Sequence, residues 1–520
     1  MRPPDVLSTI FGHAATSPDH PAVKDLERQL TYAELVHEVD HLASGLIVHG
    51  VKEGDRVALH LPNSVDFVVT ALACLRVGAI FVPLAVTDPV ARVEAILADS
   101  AVALVVTGDD DVTAGSPTLR TSGAPWIRLE NLATTETVQL PPAKGAFERV
   151  AYAIYTSGTT GSPKGVLISN SAFGAAVRST AKALDLDDQT RTLCVSPFYF
   201  DGSFGTLFPT LVVGGAVVLR PREALLFPRT FFKAVDGEGI TYTGFSPSYL
   251  KLLLASPLIE KLKDSTLDVV ALGGEAGSLA DIWALWEAAP SLRVFNRYGP
   301  TETTIAVTHI ELTPALVADG TIPIGSPHPE VTFHVFDQDG GLVTTDGVIG
   351  ELYIGGAQLM TGYWGAPALT DAVMRSDLVP GQTVYRTGDL VYRNERGHYI
   401  YVDRADRVVK RSGVRISLLE LGDAVQSLPG VTGAACVVFD HQGEVGIAAF
   451  VVTDTPVAAH DLRNGARDQL PDTMLPDRFD VVGELPLTAA GKLDERRLLA
   501  DAGLRGPVVA EVRGAATVSA

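Results

Sequence analysis

Apolar positions in the first part of the chain fall into two alternating patterns. Short β-branched runs read as buried strands at residues 56–61, 79–84 and 102–107, and the spacing between them predicts helices over 65–77 and 92–99. The alternation returns over 192–270, where RTLCVSP, GAVVLRP, GITYTGFSP and LDVVALGG are strand-like. Strands alternating with helices predict an α/β architecture with largely parallel sheets. From Thr321 to Val402 the runs shorten and are joined by Asp339-Gly340, Asp346-Gly347 and Arg396-Gly397, which is hairpin chemistry and predicts a smaller antiparallel sheet or barrel. After Asp403 comes a basic stretch, then a helix, two strands and further helices, the pattern of a small α+β domain. The expected organisation is a large N-terminal domain, 1–403, of two α/β subdomains with a β-rich part at about 321–402. A small C-terminal domain follows at 404–505, and the small-residue tail 506–520 is read as disordered.

Composition narrows the function classes. The 520 residues carry 41 Lys and Arg against 61 Asp and Glu, a net charge of −20. Such a chain repels phosphate backbones and anionic lipid, which argues against nucleic-acid and membrane partners. Cys74, Cys194 and Cys436 are isolated, which argues against a structural zinc site or disulfide framework and fits a reducing compartment. The longest apolar stretch, 206–219, holds Pro209, Gly214 and Gly215 and is too short to span a bilayer. The opening MRPPDVLSTIFGHAAT lacks a basic region followed by an apolar run, so no secretory signal is expected and the working location is the cytoplasm.

The strongest local signal is Tyr155-Thr-Ser-Gly-Thr-Thr-Gly-Ser-Pro-Lys-Gly165, following the apolar strand at 150–154. Gly158, Gly161 and Gly165 let the backbone fold back and aim N–H groups at one anion. Thr156, Ser157, Thr159 and Thr160 add hydroxyls, and Lys164 adds a point charge. The GxxxxGK[ST] spacing is absent, so this is a phosphate loop of another kind.

Further motifs stand around it in order: Leu30-Thr-Tyr-Ala-Glu-Leu35 and Arg76-Val-Gly-Ala-Ile-Phe-Val-Pro-Leu84 before it, then Phe200-Asp-Gly-Ser203, Asn296-Arg-Tyr-Gly-Pro-Thr-Glu-Thr-Thr304, Gly350-Glu-Leu-Tyr-Ile-Gly355, Tyr385-Arg-Thr-Gly-Asp-Leu390, the 404–415 segment and Leu485-Pro-Leu-Thr-Ala-Ala-Gly-Lys492. With these motifs the chain, over about residues 8–500, resembles the adenylate-forming superfamily of acyl-CoA synthetases, firefly-type luciferases and amino-acid adenylation domains. The resemblance implies an ATP- and Mg²⁺-dependent ligase that joins a carboxylate to AMP, releases pyrophosphate and passes the acyl group to a thiol.

The resemblance also implies site roles. Thr301 would bond the α-phosphate, Glu302 would hold Mg²⁺ and Tyr298 would stack on adenine. Gly273, Gly274, Glu275 and Ala276 would lie along the adenine, Asp389 would take both ribose hydroxyls, and Arg404 would face the nucleotide. Lys492 would bridge the substrate carboxylate and the nucleotide from a mobile C-terminal domain. That domain would turn about Asp406 between an adenylating and a thioester-forming state, with Gly413 lining the thiol's path. Three positions depart from the family pattern. Asp403 replaces a glycine, Val408 replaces a glutamine, and Asn170 stands where many relatives have histidine.

Asp201 bears on which acid is activated. Amino-acid adenylation domains place an Asp here against the substrate ammonium, whereas aryl-acid enzymes carry Asn. Motif alignment gives Gly202, Gly205, Gly244, Ala271, Gly273, Arg297, Ile305 and Ala306 as the other pocket positions. Most are tiny, which predicts room for a bulky or long amino acid. Gly202 and Gly205 beside Asp201 would also let the amine shift by one carbon, toward a β-amino acid of the kind that starts polyketide macrolactams. Arg297 could pair with a second substrate carboxylate, pair with a wall residue, or lie along the rim. No condensation-type HHxxxDG motif or downstream carrier domain is found, so the expected acceptor is a discrete carrier protein acting in trans in a natural-product pathway. The competing readings are an acyl- or aryl-CoA ligase and a catalytically silent binding or scaffold relative.

Overall fold

The structure is a computed structural model. It describes residues 5–88, 90–108, 123–133, 138–140, 148–157, 163–405, 408–411, 414–441, 444–467, 475–488 and 493–506. The chain divides into two compact units, Met1–Thr387 with Tyr392–Ile400, and Gly388–Val391 with Tyr401–Ala520.

Two α/β sheets and one antiparallel sheet organise the first unit. An eight-stranded sheet has the order Thr308–Leu312, Arg293–Tyr298, Val269–Gly273, Tyr242–Phe245, Arg191–Cys194, Ala216–Leu219, Pro21–Lys24, Gln29–Thr31. It is parallel except at its two ends. A seven-stranded sheet has the order Gly362–Tyr363, Pro163–Ser169, Val150–Ser157, Ile80–Pro83, Arg56–His60, Leu104–Thr107, Trp126–Arg128. The expected antiparallel sheet follows from Pro323, six-stranded and built on strands that include Val331–Phe336, Gly350–Gly356 and Gln382–Arg393.

Local chemistry explains the elements the pattern predicted. The helix Val65–Val77 begins where the Ser64 side chain accepts from the Phe67 N–H, and it ends at Gly78 in the left-handed region, φ 78°. The apolar stretch at 206–219 becomes the buried helix Phe204–Val212 and the strand Ala216–Leu219. Pro209 sits inside that helix and cannot donate to the Gly205 carbonyl four residues back. The Tyr242 hydroxyl donates to that carbonyl at 3.4 Å.

The second unit pairs Val431–His441 with Glu444–Thr453 antiparallel and adds Arg478–Val481 in parallel. The helix Leu418–Gln426 contributes Leu421 and Val425 to the apolar core of this unit. Asp403, a departure from the family pattern, is fully buried here. Its Oδ1 accepts from the Arg404 N–H at 2.7 Å and its Oδ2 from the Leu419 N–H at 3.1 Å, satisfying an orphan donor at that helix's start. Asn170 is the first residue of the helix Asn170–Ala183, capped by Ser169.

The three cysteines are free and buried. Among the described residues no helix is long and apolar enough to cross a membrane. The expected disordered tail falls, from residue 507 onward, outside the described residues.

Candidate active site

The phosphate motif spans a β-hairpin. Val150–Ser157 pairs antiparallel with Pro163–Ser169, with Thr156 opposite Lys164 and Ser157 opposite Pro163. The strand therefore runs past its apolar core into the motif. Gly165 lies against the Tyr155 ring, where an added Cβ would stand 2.8 Å from Cζ, so only glycine fits opposite that tyrosine. The Thr156 Oγ1 is buried without a hydrogen-bond partner among the described residues. Gly158, Thr159, Thr160 and Gly161 lie outside the described residues, as do Asp406, Gly413 and Lys492.

Lys164 projects from the second hairpin strand into a three-way contact. Its Nζ lies 3.1 Å from Glu302 Oε1 and donates to the Tyr363 hydroxyl at 2.8 Å, and that hydroxyl donates to the same Glu302 oxygen at 2.7 Å. Glu302 is buried in the short 3₁₀ turn Thr301–Thr303. Tyr363 is a participant the sequence reading missed. It comes from a two-residue strand that pairs with the hairpin, Tyr363 opposite Val166, and no motif marks it.

Behind that turn the backbone is strained. Thr304 and Ile305 have φ of 60° and 70°, unusual for side chains with a Cβ and more so for β-branched ones. Gln358 braces them: its amide donates to the carbonyls of Ala306 at 2.7 Å and Thr304 at 3.2 Å, and its own carbonyl accepts from the Thr304 hydroxyl at 2.7 Å. Gln358 Oε1 in turn lies 3.0 Å from His328 Nδ1, and His328 Nε2 lies 3.0 Å from His309 Nδ1. Burial, then the neighbouring His328 and Arg297, hold His309 well below the usual imidazole range, so it is neutral. These three residues are also unmarked by any motif.

Asp201 opens a 3₁₀ turn, Asp201–Ser203, before the buried helix. The residue is partly buried, but its Oδ2 has no solvent contact and, among the described residues, no hydrogen-bond partner. Burial raises the carboxyl pKa to about 6, and the nearby Glu302 adds to this; hydrogen bonds from the Thr301 hydroxyl and the Ile305 and Gly202 N–H groups pull the other way.

Side chains closely approach the pocket glycines. A Cβ at Gly205 would meet Ile305 Cγ2 at 2.4 Å, and one at Gly273 would meet Arg297 Cγ at 2.4 Å. At Gly244 it would lie 2.8 Å from Thr206 Oγ1 and 3.3 Å from Arg297 Nη1. Ala271 is fully buried and packs with Tyr242 and Phe295, and Ala306 belongs to the main core. The small residues therefore make room for Arg297 and Ile305. Arg297 is buried, not on a rim, and among the described residues it forms no ion pair.

The remaining predicted nucleotide residues are placed as follows. Gly274 follows the strand Val269–Gly273 with φ 88°, a conformation suited to glycine. Glu275 accepts from the hydroxyl and, at 3.2 Å, from the N–H of Ser248, so that side chain is committed to a protein contact. Tyr298 ends its strand, partly buried. In the second unit Asp389 is buried and pairs with Arg404 at 3.2 Å. Gly388, at φ 73°, makes space for that guanidinium, since a Cβ there would stand 2.9 Å from Arg404 Nη2.

This combination of two α/β sheets, a hydroxyl-rich hairpin and a buried Lys–Glu–Tyr contact at its base defines an adenylate-forming enzyme. The chain belongs to the AMP-binding enzyme family, whose model matches residues 10–364, and the AMP-binding enzyme C-terminal domain matches residues 420–492. It is an AMP-forming ligase. Gramicidin S synthase 2 of Brevibacillus brevis is 31% identical over 490 residues, 93% of this chain and 11% of that protein. Phenyloxazoline synthase MbtB of Mycobacterium tuberculosis is 32% identical over 488 residues, 93% of this chain and 34% of that protein. The chain thus spans about a tenth to a third of these relatives. Among solved structures, holo-AB3403, a four-domain nonribosomal peptide synthetase bound to AMP and glycine, matches with TM-score 0.82 and 28% identity over 95% of this chain and 36% of that one. The Bacillus subtilis o-succinylbenzoate CoA synthetase shares the fold with TM-score 0.83 and 23% identity, covering 95% and 98% of the two chains.

Proposed function

We propose that this enzyme activates an amino acid with ATP. A substrate carboxylate oxygen attacks the α-phosphorus, the bond to pyrophosphate breaks, and the aminoacyl-AMP then passes its acyl group to the phosphopantetheine thiol of a carrier protein in natural-product biosynthesis. The observation that carries the reading is the buried, unpartnered Oδ2 of Asp201. An ionised carboxylate oxygen without a donor is costly, and a substrate ammonium supplies both donor and charge. The relatives named above point the same way, since a nonribosomal peptide synthetase bound to AMP and glycine is among the similar structures.

The hairpin, with the free Thr156 hydroxyl and Lys164, is assigned the triphosphate, Thr301 the α-phosphate, and Asp389 with Arg404 the ribose side of the nucleotide. Glu302 is assigned Mg²⁺. Among the described residues no group of three or more Asp, Glu, His or Cys side chains is arranged to hold a metal ion, and a single carboxylate beside bound phosphates suits Mg²⁺, which keeps much of its water shell. The ion would supply charge neutralisation at the phosphates. Lys492 is assigned the bridge between carboxylate and nucleotide, and Asp406 the hinge.

The test is amino-acid-dependent ATP–pyrophosphate exchange over α- and β-amino acids, which also reads the position of the amine, run beside amine-free acids with free coenzyme A. Exchange that requires an amine supports the reading. Exchange with amine-free acids and turnover of coenzyme A would replace it with the CoA-ligase reading, and no ATP turnover with any acid would favour a silent relative.

Tyr363→Phe removes the hydroxyl that joins Lys164 to Glu302. Losing two hydrogen bonds of about 1 kcal/mol each should raise the KM for ATP by about 5- to 30-fold, with kcat within about twofold. Steady-state exchange kinetics read both, and an unchanged KM would remove Tyr363 from phosphate binding.

A further inference from the structure

We propose that the amino acid taken by this site carries a second carboxylate, and that Arg297 binds it. The proposal rests on the amino-acid reading above and names the substrate class of the same pocket.

Arg297 is only 8% exposed, on the strand Arg293–Tyr298. Glycines from separate elements clear a bed for it. An added Cβ at Gly273 would stand 3.0 Å from Nε as well as striking Cγ, those at Gly244 and Gly205 would stand 3.3 and 3.4 Å from Nη1, and that at Gly202 would stand 3.8 Å from Nη2. A pocket shaped for a neutral substrate has no need to clear such a bed for a guanidinium.

The guanidinium has five N–H donors in a planar fork. Among the described residues its recorded hydrogen bond is one long contact, Nη1 to the Gly202 carbonyl at 3.4 Å. No carboxylate of the described residues lies within ion-pair distance of it. The protein treats another arginine of equal burial differently: Arg220, also 8% exposed, pairs with Glu238 at 2.6 Å and donates to the Leu219 carbonyl at 2.7 Å.

The surrounding side chains do not supply an anion. The Cys194 thiol is pushed up to about 12 by burial, and burial also raises the Tyr242 phenol above its ordinary value. His309, paired in register with Arg297 on the next strand, is neutral. Asp201 and Arg297 meet at Gly202, which follows the first and accepts from the second, yet they do not pair with each other. An unpartnered carboxylate oxygen and a guanidinium without an ion pair, linked through Gly202, suit a ligand with an ammonium and a carboxylate beyond the one being activated. The crowding at Gly205, Gly244 and Gly273 favours a short chain, so the class is aspartate- or glutamate-like.

The test compares kcat/KM for pyrophosphate exchange by the full chain with L-aspartate, D-aspartate and L-glutamate against asparagine, glutamine, valine and 3-aminobutyrate. At least one dicarboxylic amino acid should exceed its amide by about a hundredfold or more, since an amide cannot meet the buried guanidinium as an anion. Arg297→Met should abolish that preference and raise the relative rate with neutral amino acids. Arg297→Lys, which keeps the charge but loses the planar fork, should keep part of it. The acid-to-amide ratio of the unaltered enzyme tests the proposal even if neither variant folds. Faster exchange with a neutral amino acid than with every dicarboxylic one overturns the proposal and leaves amino-acid activation standing. Exchange only with amine-free acids overturns the reading beneath it as well.

Discussion

Replacing Asp201 by Asn should lower kcat/KM for the amino acid by about 10²–10³ while making the protein more stable above pH 6. The loss follows from removing one partner of a buried, charge-assisted contact, typically 2–5 kcal/mol. The gain follows from the same burial. The folded carboxyl has a pKa of about 6 against 3.8 for the ordinary group. The folded state therefore holds the proton more tightly, and its stability falls as pH rises through the window between those values. Above pH 6 the full cost is present, on the order of 3 kcal/mol. Thermal unfolding scanned from pH 4 to 8 should show wild type and variant converging at the acid end and the variant higher at the other. Activity carries the matching sign: wild-type kcat/KM should climb with pH through about 6 and then level, because an ammonium needs the ionised Asp201. In the Asn variant that limb should vanish. An unchanged acid limb would assign the ionisation to another group.

Glu302→Gln should reduce the exchange rate by about 10²–10³, the scale seen when one charge-stabilising group is removed from a preorganised site. The side chain is isosteric, and its amide oxygen can still accept from the Tyr363 hydroxyl that now bonds Glu302 Oε1. What disappears is the negative charge 3.1 Å from Lys164. With it goes the single carboxylate assigned to Mg²⁺, so the Mg²⁺ concentration giving half-maximal exchange should rise. Exchange rates titrated with Mg²⁺ read both effects. A lower rate with an unaltered Mg²⁺ dependence would remove Glu302 from the metal role and leave it as the partner of Lys164.

Asp201 shows how far motif reading reaches. Its residue type and its place after Phe200 identify it, but its unpartnered Oδ2 is a property of what surrounds it after folding. The tiny pocket residues show what such reading leaves to the fold. A run of glycines at aligned positions reads as empty space, but emptiness depends on which neighbour leans in, and here it is Arg297, 95 residues from Gly202 along the chain. Gln358, His309, His328 and Tyr363 carry no local signature, because their partners lie on other elements. Asp403, which departs from the family pattern, turns out to tie down the start of the helix Leu418–Gln426.

The sequence by itself determined what depends on neighbours along the chain: the strand–helix alternation of the α/β sheets, the hairpin turns from Thr321 onward, and the apolar strand that leads into the glycine- and hydroxyl-rich motif. Periodicity and turn chemistry are local, so a linear reading recovers them. Only the tertiary structure decided which charges are satisfied. Three strands, a 3₁₀ turn and a helix bring Asp201, Arg297 and the glycine bed together, and burial there changes what a carboxylate or guanidinium needs from a ligand.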